Sequence, residues 1–407
     1  MAYTMLKDLY YKNKEDYETA YIERYNSAYA HHIDFDISGY KAFFIVTPEI
    51  QNRITEIYKT DKRVFSLCRE LPGKAIEQFS MRSLIDEIVL TNNIEGVHST
   101  RREISDIIED PEEKSRNARL FGLVQKYLML RSGSDMALDS PEDVRKIYDE
   151  IVLPEVMESD PDNRPDGKIF RKDSVSVQSD TQKEIHRGLY PEEKIIEAMK
   201  SALKYLNSDS DDLLFRTAVF HYMLGYIHPF YDGNGRLNRF ISSYMLSKGL
   251  EPVIGYRLSY TVKENSKKYY DAFIHCNMPK NRGDLTPFVD MFIEIVYKSI
   301  TALAEALEKR RRMLEKYSKE ICSLPGANDK TTVQIYNYLI QAALFSEYGI
   351  SRRELIMYLG KSGETLRKRL LQIEDNGLLA VEKIRNENYY KIDRERLDGF
   401  VQEMHKA

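Results

Sequence analysis

Twelve consecutive residues hold most of the chemistry this chain can be seen to carry: His228-Pro229-Phe230-Tyr231-Asp232-Gly233-Asn234-Gly235-Arg236-Leu237-Asn238-Arg239. Two glycines flank Asn234, and glycine allows positive φ and leaves the backbone open to close approach. Successive N–H groups in such a turn form an anion nest, and a helix starting near Gly235 adds its partial positive charge. Arg236 and Arg239 stand three apart, so they share one helix face and reach back toward the nest. The pattern suits a polyphosphate. Asp232 supplies a hard oxygen for a magnesium ion held against those phosphates. His228 sits at the rim, with an ordinary pKa suited to taking a proton near neutral pH. Together these groups suit attack of a hydroxyl on phosphorus, with nest, arginines and metal stabilising the developing charge. Phe230 reads as a core anchor of the loop and Tyr231 as a surface filler.

The loop needs two helices to hold it. Apolar residues at three- and four-residue spacing predict helices over Ser80–Ile94, Leu213–Tyr226 and Leu237–Ser247. Thr286-Pro287 starts another, expected to run to Cys322, with Lys309–Arg312 as a solvated face. Pro325-Gly326-Ala327-Asn328-Asp329 marks a boundary. Beyond it, helices are expected over Thr331–Phe345, Arg352–Leu359 with Ser351 as N-cap, and Glu364–Asp375, stopping at Asn376-Gly377. Strands are expected over Leu378–Ile384 and Tyr389–Ile392. Three helices and a hairpin of this size resemble a winged-helix domain. Lys168–Gln178 partly alternates and is expected to form a β-hairpin.

The twelve-residue segment matches every position of the Fic family signature, H-x-F-x-D/E-G-N-G-R-x-x-R, and on it the chain resembles that family. The resemblance implies a mainly α, Fic-type helical core with a small β-hairpin flap, and transfer of AMP from ATP to a Ser, Thr or Tyr hydroxyl of a target protein. It makes His228 the general base and Asp232 the Mg²⁺ ligand. Gly233, Asn234 and Gly235 become the phosphate cradle, and Arg236 and Arg239 the binders of the β- and γ-phosphates. The Doc branch, which phosphorylates, has a lysine where this chain has Gly235, so Gly235 favours AMP transfer. His221 is frequent in the family, and reads here as a satisfied helix histidine. The stretch around Phe170–Ser179 resembles the family's flap, which clamps the target as an added strand. Gly283–Pro287 resembles the start of its closing helix, so the likeness runs from about Leu84 to Val296.

Thr91-Asn92-Asn93-Ile94-Glu95-Gly96 matches the family's second motif, S/T-x-x-x-E-G/N, which ends an inhibitory helix. Glu95 would stand at the unfavourable end of a helix dipole, where a cation helps it. The resemblance supplies Arg239 as that cation. Two rival readings go with it: an AMP-removing hydrolase in which Glu95 positions water, and a DNA-binding regulator whose Fic domain senses nucleotide.

The expected organisation is an N-terminal helical region with the inhibitory helix (1–100), a Fic catalytic domain (101–323) and a winged-helix domain (330–407). A net charge of −4 over 407 residues implies no polyanion partner for the whole molecule. Residues 330–407 hold 13 Lys/Arg and 11 Asp/Glu, a net of +2. That is weak for a nucleic-acid binder, so protein interaction is favoured over DNA despite Arg367, Lys368 and Arg369. Homo-oligomerisation stays open. No apolar run approaches the ~20 residues that span a bilayer, and the first ten residues lack a secretory pattern. Cys68, Cys276 and Cys322 have no metal-ligand spacing and are expected to be buried reduced thiols. A cytoplasmic location is expected.

Overall fold

The computed structural model describes residues 3–109, 119–178, 184–384 and 387–404. They are mainly helical, with three small antiparallel sheets. The helices are α1 (Leu6–Lys12), α2 (Lys14–Tyr25), α3 (Pro48–Glu70), α4 (Gly73–Ile94), α5 (Arg101–Glu109), α6 (Phe121–Ser132), α7 (Pro141–Ile151), α8 (Leu153–Ser159), α9 (Glu192–Leu206), α10 (Leu213–Ile227), α11 (Asn234–Gly249), α12 (Leu258–Glu264), α13 (Ser266–Asn277), α14 (Thr286–Glu320), α15 (Lys330–Phe345), α16 (Arg352–Leu359), α17 (Gly363–Asp375) and α18 (Arg394–Met404). The strands are β1 (Ala30–Ile37), β2 (Tyr40–Ile45), β3 (Ser176–Gln178), β4 (Glu184–Arg187), β5 (Ile350–Ser351), β6 (Leu379–Ile384) and β7 (Glu387–Ile392). Among the described residues no helix is long and apolar enough to cross a membrane.

The chain forms two compact units: residues 1–61 with 84–301, and residues 62–83 with 302–407. This division does not follow the expected ranges 1–100, 101–323 and 330–407. The segment after 330 shares its unit with residues 62–83 and 302–329. Arg310 donates to the Leu344 carbonyl, Tyr317 and Lys316 both bind Asp398, and Arg82 pairs with Glu347. The 325–329 stretch is pinned as well: the Pro325 carbonyl accepts from the Tyr336 hydroxyl, and Asp329 caps α15 through Thr332.

In the first unit, α10 and α11 form the centre. α10 buries residues on every side, as a helix apolar all round must. α11 is also mostly buried but carries polar groups inward, among them Asn234, Arg236, Asn238, Arg239, Ser242 and Ser243. Asn238 and Ser242 are paired across the interface with α10. Asn238 donates to the His221 carbonyl (2.7 Å), and the His221 ring bonds the Ser242 hydroxyl and the Tyr269 hydroxyl, each at 2.7 Å. His221 is thus a satisfied core histidine, kept neutral by burial.

A hairpin that was not expected, β1–β2, turns at Ser38-Gly39, both at positive φ. Ile33, Phe35 and Ile37 alternate inward. Phe43 exchanges main-chain bonds with Gly283 and Leu285, at the start of α14. The hairpin expected over 168–178 is displaced: residues 168–175 are irregular and the strands are β3 and β4. The Glu192 carboxylate accepts from the amides of Lys168, Ile169 and Phe170, which takes those donors away from a strand ladder. Ser179 lies outside the described residues. Of the cysteines, only Cys276 is buried. Cys68 is half-buried, and Cys322 is exposed in the turn that ends α14, which corrects the expectation of three buried thiols.

In the second unit, Ser351 caps α16 in a full capping box with Glu354, and Gly360 ends it in the left-handed region. α17 follows, then the β6–β7 hairpin, and β5 adds to β7 in the order β5-β7-β6.

One buried acid locks α4 in place. Glu87 is fully buried and accepts from the Ser259 amide (3.1 and 2.9 Å) and hydroxyl (2.6 Å), at the start of α12. Burial nevertheless raises its carboxyl to about 7. The folded protein therefore holds this proton more tightly than the unfolded chain. The associated stability is complete below the ordinary glutamate value and lost as pH rises through about 7. We expect the melting temperature of the wild type to fall relative to Glu87→Gln between about pH 5 and pH 8. Parallel melting curves across that range would refute it.

Candidate active site

The twelve-residue loop joins the two most buried helices of the first unit, so its ends are held rigidly. Asn234 staples it internally: its side-chain amide donates to the Phe230 carbonyl (2.9 Å), and its side-chain oxygen accepts from the Phe230 amide (3.0 Å). Asn234 is therefore spent on shaping the turn, and only its main chain faces outward as a cradle group. Phe230 is the anchor expected of it, stacked on Tyr148 at 3.6 Å and edge-on to Phe170. Tyr231 does more than fill surface, since its hydroxyl accepts from the Asp173 amide and donates to Asp166.

Gly233 has φ +77 and begins α11 with no side-chain cap. The amides of residues 234–236 form the first turn and have no intrahelical acceptor. An added Cβ on Gly233 would stand 2.1 Å from Val152 Cγ1, so the bare backbone is required there by packing. Asp232 is partly exposed. One of its oxygens accepts from the Gly233 amide and the other lies 3.8 Å from Arg236 Nη2.

Both arginines are almost fully buried and each meets a glutamate. Arg239 donates from Nη1 to Glu95 (2.9 Å), from Nε to the Thr91 hydroxyl (2.8 Å) and from Nη2 to the Thr91 carbonyl (2.9 Å). The motif's threonine and glutamate thus share one guanidinium, each taking part of the fork. Burial opposes the charge of Arg239, and the Glu95 carboxylate more than restores it, so its pKa is raised. Gly96, at φ +73, ends α4 and turns the chain beneath this pair. Glu95 also lies against Gly235: a Cβ there would be 2.2 Å from Glu95 Oε1. Arg236 donates from Nη1 to Glu155 at 2.6 Å, in a pair with almost no solvent exposure. No sequence signal distinguished Glu155, one of two glutamates on α8.

His228 caps α10 in the left-handed region, φ 51 and ψ 63. A buried arginine that the sequence reading overlooked holds it there. Arg171 Nε donates to the His228 carbonyl (2.9 Å), Nη2 to the Leu189 carbonyl (2.8 Å) and Nη1 to the Asp173 carbonyl, while the Arg171 amide donates to Pro229. The Leu189 amide returns a bond to Ile227. The base of the β3–β4 hairpin and the histidine's backbone are thus one hydrogen-bonded unit. Gly188 makes the close approach this needs: a Cβ there would lie 2.4 Å from Arg171 Nη2 and 3.0 Å from His228 Cβ.

Burial, helped by His186 and the Arg171 charge, pushes the His228 imidazole down to about 3. The ordinary histidine value expected from the sequence is therefore replaced by a group that stays neutral throughout the physiological range. Nitrogen-15 ring shifts should show His228 neutral from about pH 8 down to about pH 5, without nucleotide. A titration near 6.5 would contradict this environment.

Among the described residues, no group of three or more His, Cys, Asp or Glu side chains converges to hold a metal. A single carboxylate oxygen, on Asp232, is what the loop offers. That fits Mg²⁺ only as an ion bound mainly through ligand phosphates and water.

Residues 138–246 match the family model described as Fic/DOC family, a span running from before α7 to within α11. Over 101 residues the chain is 38% identical to protein adenylyltransferase fic-1 of Caenorhabditis elegans and 35% identical to protein adenylyltransferase Fic of Drosophila melanogaster. Each match covers 24% of this chain and 18% of the relative, so the chain is matched to less than a fifth of those proteins' length. A Fic family protein from Desulfovibrio desulfuricans aligns over 86% of this chain and 97% of its own at 18% identity, with a TM-score of 0.49. Fic-1 from C. elegans aligns over 64% of this chain and 74% of its own at 20% identity, with a TM-score of 0.42. The family match and the loop built by α10 and α11 fall on the same residues, so it is over this segment that the chain is similar to the Fic/DOC family.

Proposed function

We propose that this chain transfers AMP from ATP to a Ser, Thr or Tyr hydroxyl of a target protein, and that Glu95 holds the activity down. The observation that carries this reading is the bare backbone of Gly235 beneath the Glu95 carboxylate. A side chain at 235, such as the lysine of the phosphorylating branch, has no room there while Glu95 is paired with Arg239. The same carboxylate takes the guanidinium that the γ-phosphate would use.

In the transfer step the target hydroxyl oxygen attacks the α-phosphorus in line. The bond to the bridging oxygen of the β-phosphate breaks, and pyrophosphate leaves with the electron pair. Nε2 of His228 takes the hydroxyl proton. In the free protein the neighbouring His186 and Arg171 disfavour an imidazolium. Bound triphosphate would bring negative charge beside the ring, so proton uptake becomes favourable only with nucleotide in place. Amides of the first turn of α11 and the two arginines would receive the phosphates. Mg²⁺, held by Asp232 and the phosphates, would neutralise charge on the leaving group.

With Arg239 occupied by Glu95, the γ-phosphate loses its partner and the α-phosphorus is turned from in-line attack. Small misplacement of a reacting atom costs large rate factors. Incubation with ATP labelled at the α-phosphate should incorporate roughly tenfold or more label into protein for Glu95→Gly than for wild type. Glu95→Gly combined with Arg239→Ala should lose the gain, and His228→Ala should abolish label. No gain in Glu95→Gly, together with loss of AMP hydrolysis from modified protein, would support the AMP-removing role of Glu95 instead.

For residues 330–407 we read a winged-helix module that serves protein interaction. α15, α16, α17 and the β6–β7 hairpin, with β5 added, support the fold reading. Two of the three basic residues on α17 already have partners: Lys368 with Glu364 (3.0 Å), and Arg369 with Asp329 (3.4 Å) and Gln372 (3.0 Å). Binding to duplex DNA should therefore be weak. Affinity that falls steeply with salt and drops in an Arg367→Ala/Arg369→Ala variant would establish DNA as the partner instead.

A further inference from the structure

The two arginines of the loop are clamped by glutamates in different ways. Glu95 leaves no nitrogen of Arg239 free, because Thr91 takes the rest of the fork. Glu155 takes only Nη1 of Arg236. Arg236 is 1% exposed, yet its Nε and Nη2 find no acceptor among the described residues. The nearest carboxylate oxygen to Nη2, on Asp232, is 3.8 Å away, too far for a hydrogen bond. Nε and Nη2 lie on one edge of the guanidinium, the side-on fork that reads two oxygens of a phosphate together.

The placement of Glu155 is also fixed. It is buried on α8, and Val152, which precedes that helix, packs on Gly233 so closely that no Cβ fits between them. The carboxylate is therefore registered against the phosphate turn at two points, through Arg236 and through Val152.

We propose that Glu155 is a positioning residue for the nucleotide: it holds the Nη1 end of Arg236 so that the Nε/Nη2 edge stands desolvated and unpaired, ready for two oxygens of one phosphate of ATP. This rests on the reading of the loop as an ATP site. Glu155 touches no substrate. It sets the rotation of the guanidinium and balances its charge.

Calorimetric titration of the full chain with Mg-ATP, without any protein target, tests this apart from AMP transfer. Glu155→Ala and Arg236→Ala should each weaken ATP binding by roughly tenfold or more. The double variant should bind no more weakly than Arg236→Ala alone, since Glu155 acts only through that arginine. Glu155→Gln, whose amide oxygen still accepts from Nη1, should recover most of the affinity. Should Glu155→Ala not fold, Glu155→Asp takes its place: its shorter side chain draws the guanidinium aside and should weaken binding with the fold retained. Losses that add in the double variant, or wild-type affinity in a folded Glu155→Ala or Glu155→Asp, would overturn the assignment. A wild type that binds ATP but transfers no AMP refutes only the transfer reading, and one that binds no ATP refutes both.

Discussion

A guanidinium taken out of water must be paired, and α11 carries two of them inward, one turn apart. Leaving either uncompensated would cost several kcal/mol. Much of the first unit can be understood as the means of supplying their partners. α4 brings Thr91 and Glu95 to Arg239, and α8 brings Glu155 to Arg236. The burial of α10 and α11 makes the pairs strong, and also fixes where α4 and α8 must lie. Arg239 needs a counter-charge where it is buried, and Glu95 supplies it.

The two pairs differ in how readily they can be exchanged. The Glu95 side chain keeps about a fifth of its surface in solvent and sits where α4 ends, on a glycine turn. Glu155 is nearly inaccessible within its helix. A ligand can replace the first without disturbing the core, whereas removing the second would strand a buried charge. The arrangement suits one exchangeable contact and one permanent one.

His228 is held by a different set of hydrogen bonds. His228 must leave the helical region to cap α10, and a left-handed conformation at a non-glycine residue is held only when its surroundings over-determine it. Arg171 does this by spending its guanidinium on three main-chain carbonyls. Two of those belong to the segments leading to and from β3–β4, so the backbone of His228 and the base of the β3–β4 hairpin share one donor.

Local chemistry was legible in the chain, and the groups brought in from a distance were not. α10, α11 and their connecting loop follow from apolar spacing and from two glycines around an asparagine. α16 follows from Ser351 and Glu354, three apart. These are features of neighbouring residues, and their physics is complete within a few turns. The β1–β2 hairpin was missed although Ile33, Phe35 and Ile37 alternate, because His31, His32, Asp34 and Asp36 mask the run in composition. The flap strands were placed too early because the carboxylate that claims the amides of 168–170 comes from Glu192, more than twenty residues on. That the Asn234 side chain closes the turn on Phe230 was not legible either, since it depends on how the loop folds back. The neutrality of His228 could not be foreseen, since His186 and Arg171, whose charges disfavour its imidazolium, lie more than forty residues away in the chain. Glu155 and Arg171 carry no signature at all: one is a glutamate in an acidic stretch, the other an arginine in a basic one. What makes them matter is burial against a particular partner, and burial is decided only when segments remote in the chain are packed together.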